Sequence, residues 1–392
     1  MSAEVESAQC RAAAAQSALR ARHLRRLGGW VPFTRIGRVA WPPAGRVLSA
    51  QRLTASWNYW WQAHLVDVLV DGAIHREDEQ CAREATALVR GVRIRNVGRW
   101  TNSYYDDMAW LGLALERAER RLASGGHSCR PRALRILRDR MVDAWDPESG
   151  GGIPWRTTDT FFNAPANGPA AILLARTDRV ERSIAMADWI DDTLRLPSGL
   201  IADGVWRRSD GARDLDDALF TYCQGVALGA YTEAYRHTGD RRRLDRVDAL
   251  LTATASRFTT DGVVRGAGGG YGGLFGGILT RYLALVATDL PGEDEVAESI
   301  RGRAAAIVTA SADAAWANRA EHDGLPVFGP DWGAPAVVPT SQGPSARKHG
   351  GAVASSKTPE RDLSVQIGAT MLLEAAVTVT IGSPEHIGST PD

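Results

Sequence analysis

Apolar residues recur at intervals of three and four positions along most of this chain, as in Leu111, Leu115, Ala118 and Leu122. That spacing places them on one face of an α-helix, whereas the alternation typical of β-strands is scarce. The pattern therefore predicts a train of helices with very little sheet. The predicted helices span residues 11–27, 47–72, 77–95, 104–123, 131–144, 164–177, 179–194, 217–237, 241–257, 273–288, 294–317 and 361–379.

Gly- and Pro-rich segments separate the predicted helices. The clearest are residues 150–155 and 266–273, and residues 319–360 form a long irregular stretch. Helical hairpins in this number indicate an all-α toroid in a single domain. We expect that domain over residues 46–380, after an N-terminal helix and Gly/Pro-rich lead-in (1–45) and before a disordered tail (381–392).

The chain has 392 residues with 46 basic and 46 acidic side chains, so its formal net charge is zero. A neutral balance argues against nucleic acid and against an acidic lipid surface as partners. Cys10, Cys81, Cys129 and Cys223 lie far apart, which favours neither a zinc site nor a disulfide framework. The sequence predicts no cofactor and leaves the oligomeric state open.

Targeting signals are also missing from the pattern. No apolar stretch reads as membrane-spanning, and residues 1–27 are rich in Ala and Arg without a secretory apolar core. We therefore expect a cytoplasmic protein. A start site assigned too far downstream would leave secretion open.

Two adjacent carboxylates, Asp106 and Asp107, stand in an aromatic run between Trp100 and Trp110. Aspartates at a helix start can cap free N–H groups. They can equally serve as paired acid and base at a sugar-cleaving site, with aromatic rings as walls. Retaining glycosidases need carboxyls about 5–5.5 Å apart and inverting ones about 6.5–9.5 Å, and adjacent side chains meet the shorter spacing more easily. Mutual repulsion would raise one of the two pKa values.

Other segments carry aromatic and amide side chains that could serve either core packing or sugar binding. Trp57, Trp60, Trp61 and His64 share one helix face, which suits either a packed core or a wall on which a sugar stacks. Among these we select Trp61, with Gln62 beside it, as substrate-binding candidates. Trp155 directly follows the glycine run 150–152, where core packing explains a tryptophan poorly.

Asparagine and aspartate residues further along the chain also fit either a structural role or a substrate-binding role. Asn163 and Asn167 can cap a helix or bind sugar hydroxyls. Asp203 precedes a glycine, a common turn pattern. Asp216 and Asp217 form a rival acidic pair, for which capping of the next helix is the favoured role.

Taken in order, these segments resemble glycoside hydrolase family 76, the α-1,6-mannanases, over roughly residues 50–290. The resemblance rests on an ordered set of motifs: Tyr105-Asp-Asp-Met-Ala-Trp110, Gly150-Gly-Gly-Ile153, Asn163-x-x-x-Asn167, Asp203-Gly204, Thr221-Tyr-x-Gln-Gly225, and Phe275-x-Gly-Ile278 before Arg281-Tyr282. It implies an (α/α)6 barrel and endo-cleavage of α-1,6-linked mannan with retention. Asp106 would be the nucleophile and Asp107 the general acid/base, with no metal needed. The substrate-binding candidates are Trp61, Gln62, Asn102, Tyr105, Trp155, Asn163, Asn167, Asp203, Tyr222, Gln224 and Phe275.

This chain departs from the family pattern at three positions. Pro154 replaces an aromatic residue after the glycine run, Cys223 stands where Asn is usual, and Gly276 where a basic residue is frequent. These changes bear on the exact substrate. Alternatives to hydrolysis are transfer of a mannosyl chain to an acceptor and non-catalytic mannan binding. A sugar isomerase on the same toroid would need histidine bases, and only His64 falls in a candidate motif.

Overall fold

The computed structural model describes residues 3–43, 57–126, 130–148, 150–349 and 352–382. Twelve α-helices lie in this part of the chain. They are α1 (Ala3–His23), α2 (Tyr59–Arg76), α3 (Glu79–Arg95), α4 (Tyr105–Leu122), α5 (Pro131–Asp143), α6 (Ala164–Ala175), α7 (Val180–Leu194), α8 (Thr221–Thr238), α9 (Arg241–Phe258), α10 (Gly272–Asp289), α11 (Glu295–Ala317) and α12 (Leu363–Ile381).

Short strands and 3-10 turns occupy the connections. The strands are β1 (Leu24–Arg25), β2 (Ile36–Gly37), β3 (Phe161–Asn163), β4 (Gly204–Arg207), β5 (Arg213–Asp216), β6 (Thr259–Thr260), β7 (Val263–Val264), β8 (Ala320–His322), β9 (Leu325–Val327), β10 (Arg347–His349) and β11 (Ala352–Ala354). All pairings among them are antiparallel. The largest sheet has three strands in the order β3-β4-β5.

The helices form two concentric rings. The even-numbered helices pack side by side from α2 through α4, α6, α8, α10 and α12, and α12 closes the inner ring against α2. Each odd-numbered helix packs outside an inner neighbour, as α3 does on α2 and α7 on α6. This confirms the predicted all-α (α/α)6 barrel.

The N-terminal helix belongs to the outer ring. α1 packs against α12 and supplies the sixth outer helix. The sequence analysis described residues 1–45 as a helix and lead-in before the barrel domain, and in the structure α1 packs on the barrel itself. Short-range periodicity does not show which distant helix covers a given face, so it missed this contact.

Most helix limits lie within a few residues of their predicted positions. α1 starts at Ala3, earlier than the predicted residue 11. α2 begins at Tyr59, and the first part of its predicted range, residues 47–56, lies outside the described residues. α8 begins at Thr221 instead of 217 because Phe220 is extended. The predicted tail, from residue 383 onward, also lies outside the described part.

The inner helices are apolar on nearly all sides because both of their faces are covered. All twelve residues of α6 are buried. The helix Leu363–Ile381 is long and apolar enough to cross a membrane, but 78% of its apolar window is buried inside the barrel. α12 is therefore placed as a core helix of the inner ring.

Candidate active site

A cavity of about 220 Å³ opens where the N-terminal ends of α2, α4, α6, α8 and α10 converge. Aromatic rings form most of its wall, and three carboxylates project among them. The lining residues are Asn58, Tyr59, Trp60, Tyr104, Asp106, Asp107, Trp110, Trp155, Phe161, Asn163, Asp203, Phe220, Tyr222, Tyr271 and Phe275. An apolar concave wall with a few placed polar groups is typical of a small-molecule or sugar site.

The aspartate pair occupies the first turn of α4. Tyr104 is extended, and its N–H donates to Asn102 Oδ1 at 2.9 Å. The Asn102 amide in turn donates to Asp107 Oδ2 at 2.6 Å. Asn102 thus stands behind Asp107 and fixes its rotamer from outside the cavity.

Both oxygens of Asp106 accept hydrogen bonds from fixed N–H groups. The backbone N–H of Asp107 donates to Oδ1 at 2.8 Å, and the indole Nε1 of Trp155 donates to Oδ2 at 2.9 Å. Asp106 therefore uses a free N–H of the helix start while it faces the cavity. Capping and chemistry, which the sequence posed as alternatives, are compatible at this residue.

Burial and mutual repulsion disfavour joint ionisation of the aspartate pair. Burial raises the pKa of Asp106 well above its ordinary range, and repulsion from Asp107 adds to the rise. The hydrogen bonds from the Asp107 backbone and Trp155 oppose it. Two close carboxyls that resist joint ionisation are the arrangement that acid–base work on a glycosidic bond requires.

The tight turn at Gly150, Gly151 and Gly152 positions Trp155 next to Asp106. Gly150, Gly151 and Gly152 all have positive φ, at 84°, 92° and 86°, and a Cβ on Gly152 would lie 2.6 Å from the Trp189 ring. Beyond this tight turn, Trp155 N–H donates to Phe161 O at 2.7 Å and Trp155 O accepts from Tyr105 N–H at 2.9 Å. The indole is thereby held between α4 and β3.

The opposite wall contains a third carboxylate, Asp203. The Cys223 thiol donates to Asp203 Oδ1 at 3.5 Å. Burial raises the pKa of Asp203 to about 6, with repulsion from Asp216 as a smaller contribution, against the hydrogen bonds from Cys223 and Tyr222. Asp203 can therefore donate or accept a hydrogen bond near neutral pH.

Comparison with known proteins identifies the family to which this chain belongs. The model of glycosyl hydrolase family 76 matches residues 40–342. The chain belongs to glycosyl hydrolase family 76. It is accordingly a glycosidase, and its barrel carries the family's domain over most of its length. A search of curated protein sequences gives no significant match.

Solved structures agree with that assignment. The GH76A α-1,6-mannanase from Salegentibacter sp. HEL1_6 superimposes with a TM-score of 0.76 at 28% identity, covering 95% of this chain and 99% of that one. An inactive variant of the same enzyme, with two consecutively numbered aspartates replaced by asparagine, is in complex with α-1,6-mannotriose and gives a TM-score of 0.75 at 26% identity over 95% and 99% of the two chains. Lin0763 from Listeria innocua gives 0.75 at 25% identity, covering 95% and 98%.

Seven of the residues selected from the sequence line the family 76 cavity. They are Asp106, Asp107, Trp155, Asn163, Asp203, Tyr222 and Phe275. Tyr222 and Phe275 stack with ring centroids 4.0 Å apart and planes 8° apart, which makes one flat apolar wall. Asn163 has a double role, since its Oδ1 also caps α6 by accepting from Ala166 N–H at 3.2 Å.

Two candidates on α2 are placed elsewhere. Trp61 is fully buried in the core. Gln62 is also buried, where its side chain accepts from Gly37 N–H at 2.6 Å and donates to Gly37 O at 3.1 Å. Neither residue lines the cavity, because the helix turns by about 100° per residue and Trp60, one position earlier, faces the cavity instead. Their predicted contact with substrate finds no support in the structure.

Three further candidates are structural. Asn167 is buried and pairs with the backbone of Ile153, accepting at 2.8 Å and donating at 2.9 Å. Gln224 pairs in the same way with Ile201, at 2.9 and 2.8 Å. Tyr105 is buried in the core cluster behind the aspartates. The Asn167 and Gln224 side chains hold loops in place, and none of the three residues lines the cavity, so their predicted contact with substrate finds no support in the structure.

The sequence missed several wall residues, namely Tyr59, Trp60, Tyr104, Trp110, Phe161, Phe220 and Tyr271. Each stands at or within a few residues of an inner-helix start, apart from Phe161 on β3. An aromatic residue at the start of a predicted inner helix was the available signal. Trp60 and Tyr271 meet edge to face with centroids 5.0 Å apart.

The remaining candidates lie outside the cavity wall. His64 is buried beside Trp110, with centroids 4.6 Å apart, and burial, followed by the charge of Arg281, lowers its pKa to about 3. A histidine held neutral away from the cavity gives no support to isomerase chemistry. Asp216 accepts from Ala218 N–H at 3.2 Å in the turn before α8, and α8 starts at Thr221 without a side-chain cap. The predicted helix-capping role of the Asp216–Asp217 pair is therefore wrong.

The three departures from the family pattern have local explanations. Pro154 stands beside the wall and bridges to Phe162. Cys223 lies under Asp203. A Cβ on Gly276 would lie 3.0 Å from the Trp332 ring, so that indole occupies the space of a longer side chain. Among the described residues, no group of three or more His, Cys, Asp or Glu side chains is arranged to hold a metal ion.

Proposed function

We propose that this family 76 glycosidase cleaves α-1,6-linked mannan internally, with retention of anomeric configuration. The observation that carries the proposal is the Asp106–Asp107 pair, held by N–H donors inside an aromatic cavity. The neighbour from Salegentibacter, an α-1,6-mannanase with an inactive double-aspartate variant, supports both the substrate and the pair.

Asp106 is assigned as the nucleophile. Its two oxygens accept N–H bonds from Asp107 and Trp155, and both bonds favour the charged carboxylate against the burial and the repulsion from Asp107 that raise its pKa. The assignment therefore requires the proton of the pair to reside on Asp107 once a sugar is bound. In the first step an Asp106 oxygen bonds to the anomeric carbon of a mannosyl unit as the bond to the glycosidic oxygen breaks. The product is a mannosyl ester on Asp106.

Asp107 is assigned as the general acid and base. Its proton passes to the departing glycosidic oxygen, which leaves as the hydroxyl of the released chain. Asp107 then takes a proton from a water molecule as that water attacks the ester, which frees Asp106 and restores the original configuration. Asn102 keeps one oxygen of Asp107 in place through both steps.

The decisive test compares Asp106→Ala and Asp107→Ala with wild type on α-1,6-mannotetraose. We expect each change to lower kcat by about a thousandfold or more, since nucleophile and acid each carry a large part of the barrier. Azide should rescue Asp107→Ala as an α-mannosyl azide, because azide attacks the β-linked ester on Asp106 without general base help. Asp217→Ala, in the rival acidic pair, is the matched control and should keep its activity.

Unchanged cleavage by Asp107→Ala would reject its assignment as the acid. Proton NMR of the first product distinguishes retention from inversion, and an initial β-anomer would reject the retaining mechanism. Binding without turnover on every α-mannan would favour a non-catalytic mannan-binding protein.

Transfer to an acceptor is the alternative fate of the same ester. It needs an acceptor hydroxyl in place of water, and product analysis at high mannobiose concentration separates the two. We expect free reducing ends to dominate. A cytoplasmic location stays a prediction, and under it the substrate would be a soluble or lipid-linked manno-oligosaccharide.

A further inference from the structure

Exposed apolar side chains concentrate on one part of the outer ring. In the described part of the chain, the three most exposed large apolar residues are Val97 (85%), Phe33 (78%) and Trp30 (75%). Ile94 is 48% exposed close by in sequence. Large apolar side chains in water mark an interaction site when they form a group.

These residues come together because the loop after β1 lies along α3. Arg35 N–H donates to Ala87 O at 2.9 Å, and Arg90 Nη1 donates to Phe33 O at 2.7 Å. Gly91 allows this contact, since a Cβ there would collide with Arg35 O. Ile94 follows Arg90 by four residues on the same face of α3, and Val97 lies in the turn that ends the helix, where its N–H donates to Ile94 O at 3.1 Å.

The backbone holds two of these side chains outward at a cost. Phe33 has φ 56° and Val97 has φ 55°, and they are the only apolar residues among the non-glycine residues with positive φ in the described part of the chain. Bulky and β-branched residues rarely adopt this conformation. Hydrogen bonds lock the turn at Val97, with Gly98 N–H donating to Arg93 O at 2.8 Å and Arg93 Nε donating to Gly98 O at 3.0 Å. Strain retained at an exposed apolar residue points to a role for that residue.

Positive charge surrounds the same side chains. Segments 24–37 and 85–105 contain no acidic residue and seven arginines, which are Arg25, Arg26, Arg35, Arg90, Arg93, Arg95 and Arg99. The whole chain is neutral, so this excess is a local segregation of charge that the net balance does not reveal. We call Trp30, Phe33, Ile94 and Val97 with these seven arginines the arginine–aromatic surface.

The arginine–aromatic surface adjoins the cavity. The Arg93 guanidinium lies 5.2 Å above the Trp100 ring, and Arg95 lies 5.3 Å above the Trp57 ring. Tyr59, in the cavity wall, donates from its hydroxyl to Trp100 O. The C-terminal end of α3 therefore backs one wall of the active site.

We propose that the arginine–aromatic surface docks this protein on an anionic lipid bilayer. Aromatic rings settle at the boundary between headgroups and acyl chains, and arginines bind the phosphates of anionic lipids. Docking would hold the cavity next to the bilayer, where a lipid-linked glycan would be presented. The docking itself does not depend on the proposed function.

The test is flotation of the purified full chain with vesicles. We expect binding to vesicles of phosphatidylcholine mixed with phosphatidylglycerol, weakening as salt rises, and none to phosphatidylcholine alone. Trp30→Ser combined with Phe33→Ser should lower the affinity about tenfold or more. Arg26→Glu combined with Arg99→Glu should lower it to a similar extent. These four side chains are exposed, and thermal unfolding checks that the variants fold.

Matched controls use the same kinds of change elsewhere. Arg132→Glu with Arg242→Glu removes equal charge at starts of the outer helices α5 and α9, and Val337→Ser with Val338→Ser removes exposed apolar groups. Both should bind vesicles as wild type does. Absence of vesicle binding, or binding unchanged in both surface variants, overturns the proposal. A dimer that Trp30→Ser and Phe33→Ser dissociate, without vesicle binding, would assign the surface to a second copy of this chain.

Discussion

At the scale of single residues, the buried carboxyls of the active site lower the stability of the folded protein when they ionise. Asp106 and Asp203 both have raised pKa values, chiefly because they are buried. A carboxyl whose pKa is raised by folding is stabilised in its neutral form, so its ionisation opposes folding. Such groups are retained where their function requires them.

The effect of the Asp203 carboxyl on the free energy of unfolding can be measured through its pH dependence. Its pKa rises from 3.8 to about 6, so both states are protonated at pH 3 and the unfolded state ionises first as pH rises. Stability therefore falls between pH 4 and 6. We expect Asp203→Asn to stabilise the fold by about 3 kcal/mol at pH 7.5 and by almost nothing at pH 3. Urea unfolding at the two pH values measures the difference, and an equal effect at both would contradict it.

The exposed Trp206 predicts an additional sugar contact outside the cavity. Its ring stacks on Phe161, with centroids 4.6 Å apart and planes at 29°, and it is 41% exposed. Phe161 lines the cavity. A sugar stacked on the outer face of Trp206 would extend the binding groove.

We expect Trp206→Ala to raise KM for α-1,6-mannotetraose about fivefold while kcat and the KM for mannotriose change less, since a stacking contact contributes about 1 kcal/mol. Trp30→Ala, which removes an exposed indole elsewhere, is the control. An equal loss at every chain length would show that Trp206 supports the fold of the β4–β5 hairpin instead.

At the scale of elements, glycines set how closely the inner helices approach. α10 and α12 meet where a Cβ on Gly277 would lie 2.6 Å from Gly368 O. Backbone atoms of a packed neighbour cannot move aside as a side-chain tip can. This contact fixes the position of α10, whose first turn presents Phe275 to the cavity.

Gly277→Ala should lower the free energy of unfolding by about 2 kcal/mol or more, because the added methyl group overpacks a rigid contact. The matched change Gly302→Ala lies in the outer helix α11, where a Cβ meets nothing within 4 Å. It should stabilise the fold by about 0.5–1 kcal/mol through helix propensity. Chemical denaturation measures both, and equal effects would refute the packing argument.

At the scale of the whole molecule, the two ends of the inner ring have different chemistry. The N-terminal ends converge on the aspartates, whereas the C-terminal halves converge on buried ion pairs. There Arg117 pairs with Asp67 and Asp71, and Arg281 Nη2 lies 2.5 Å from Asp71 Oδ2. Burial alone would raise the pKa of Asp71, but the charges of Arg117 and Arg281 hold it below its ordinary value.

Arg117→Met should destabilise the protein by about 3–5 kcal/mol at neutral pH, since it leaves buried carboxylates without their main partner. A carboxyl with a lowered pKa contributes stability above its unfolded pKa and loses it as pH falls. The cost of the change should therefore shrink toward pH 3. Arg242→Met, which breaks a solvent-exposed pair with Asp240, should leave the free energy of unfolding essentially unchanged.

Local sequence patterns were enough to predict the succession of helices and the class of fold, and they pointed to the segment that holds the aspartate pair. Apolar periodicity is a local property, so Leu111 to Leu122 predicted α4 without knowledge of its neighbours. The order of motifs brought Asp106, Asp107, Asp203 and Tyr222 into one expected site, and all four line the cavity.

Which side chain of each motif reaches the cavity depends on how the helices pack in three dimensions. Trp60 and Trp61 are alike in chemistry, and a rotation of about 100° about the helix axis separates wall from core. Gln224 and Asn167 are polar, but their side chains hydrogen-bond buried backbone groups of neighbouring loops and are therefore not available to a sugar. The arginine–aromatic surface was hidden for the same reason, because its two segments lie about fifty residues apart and meet only when α3 packs beneath the loop after β1.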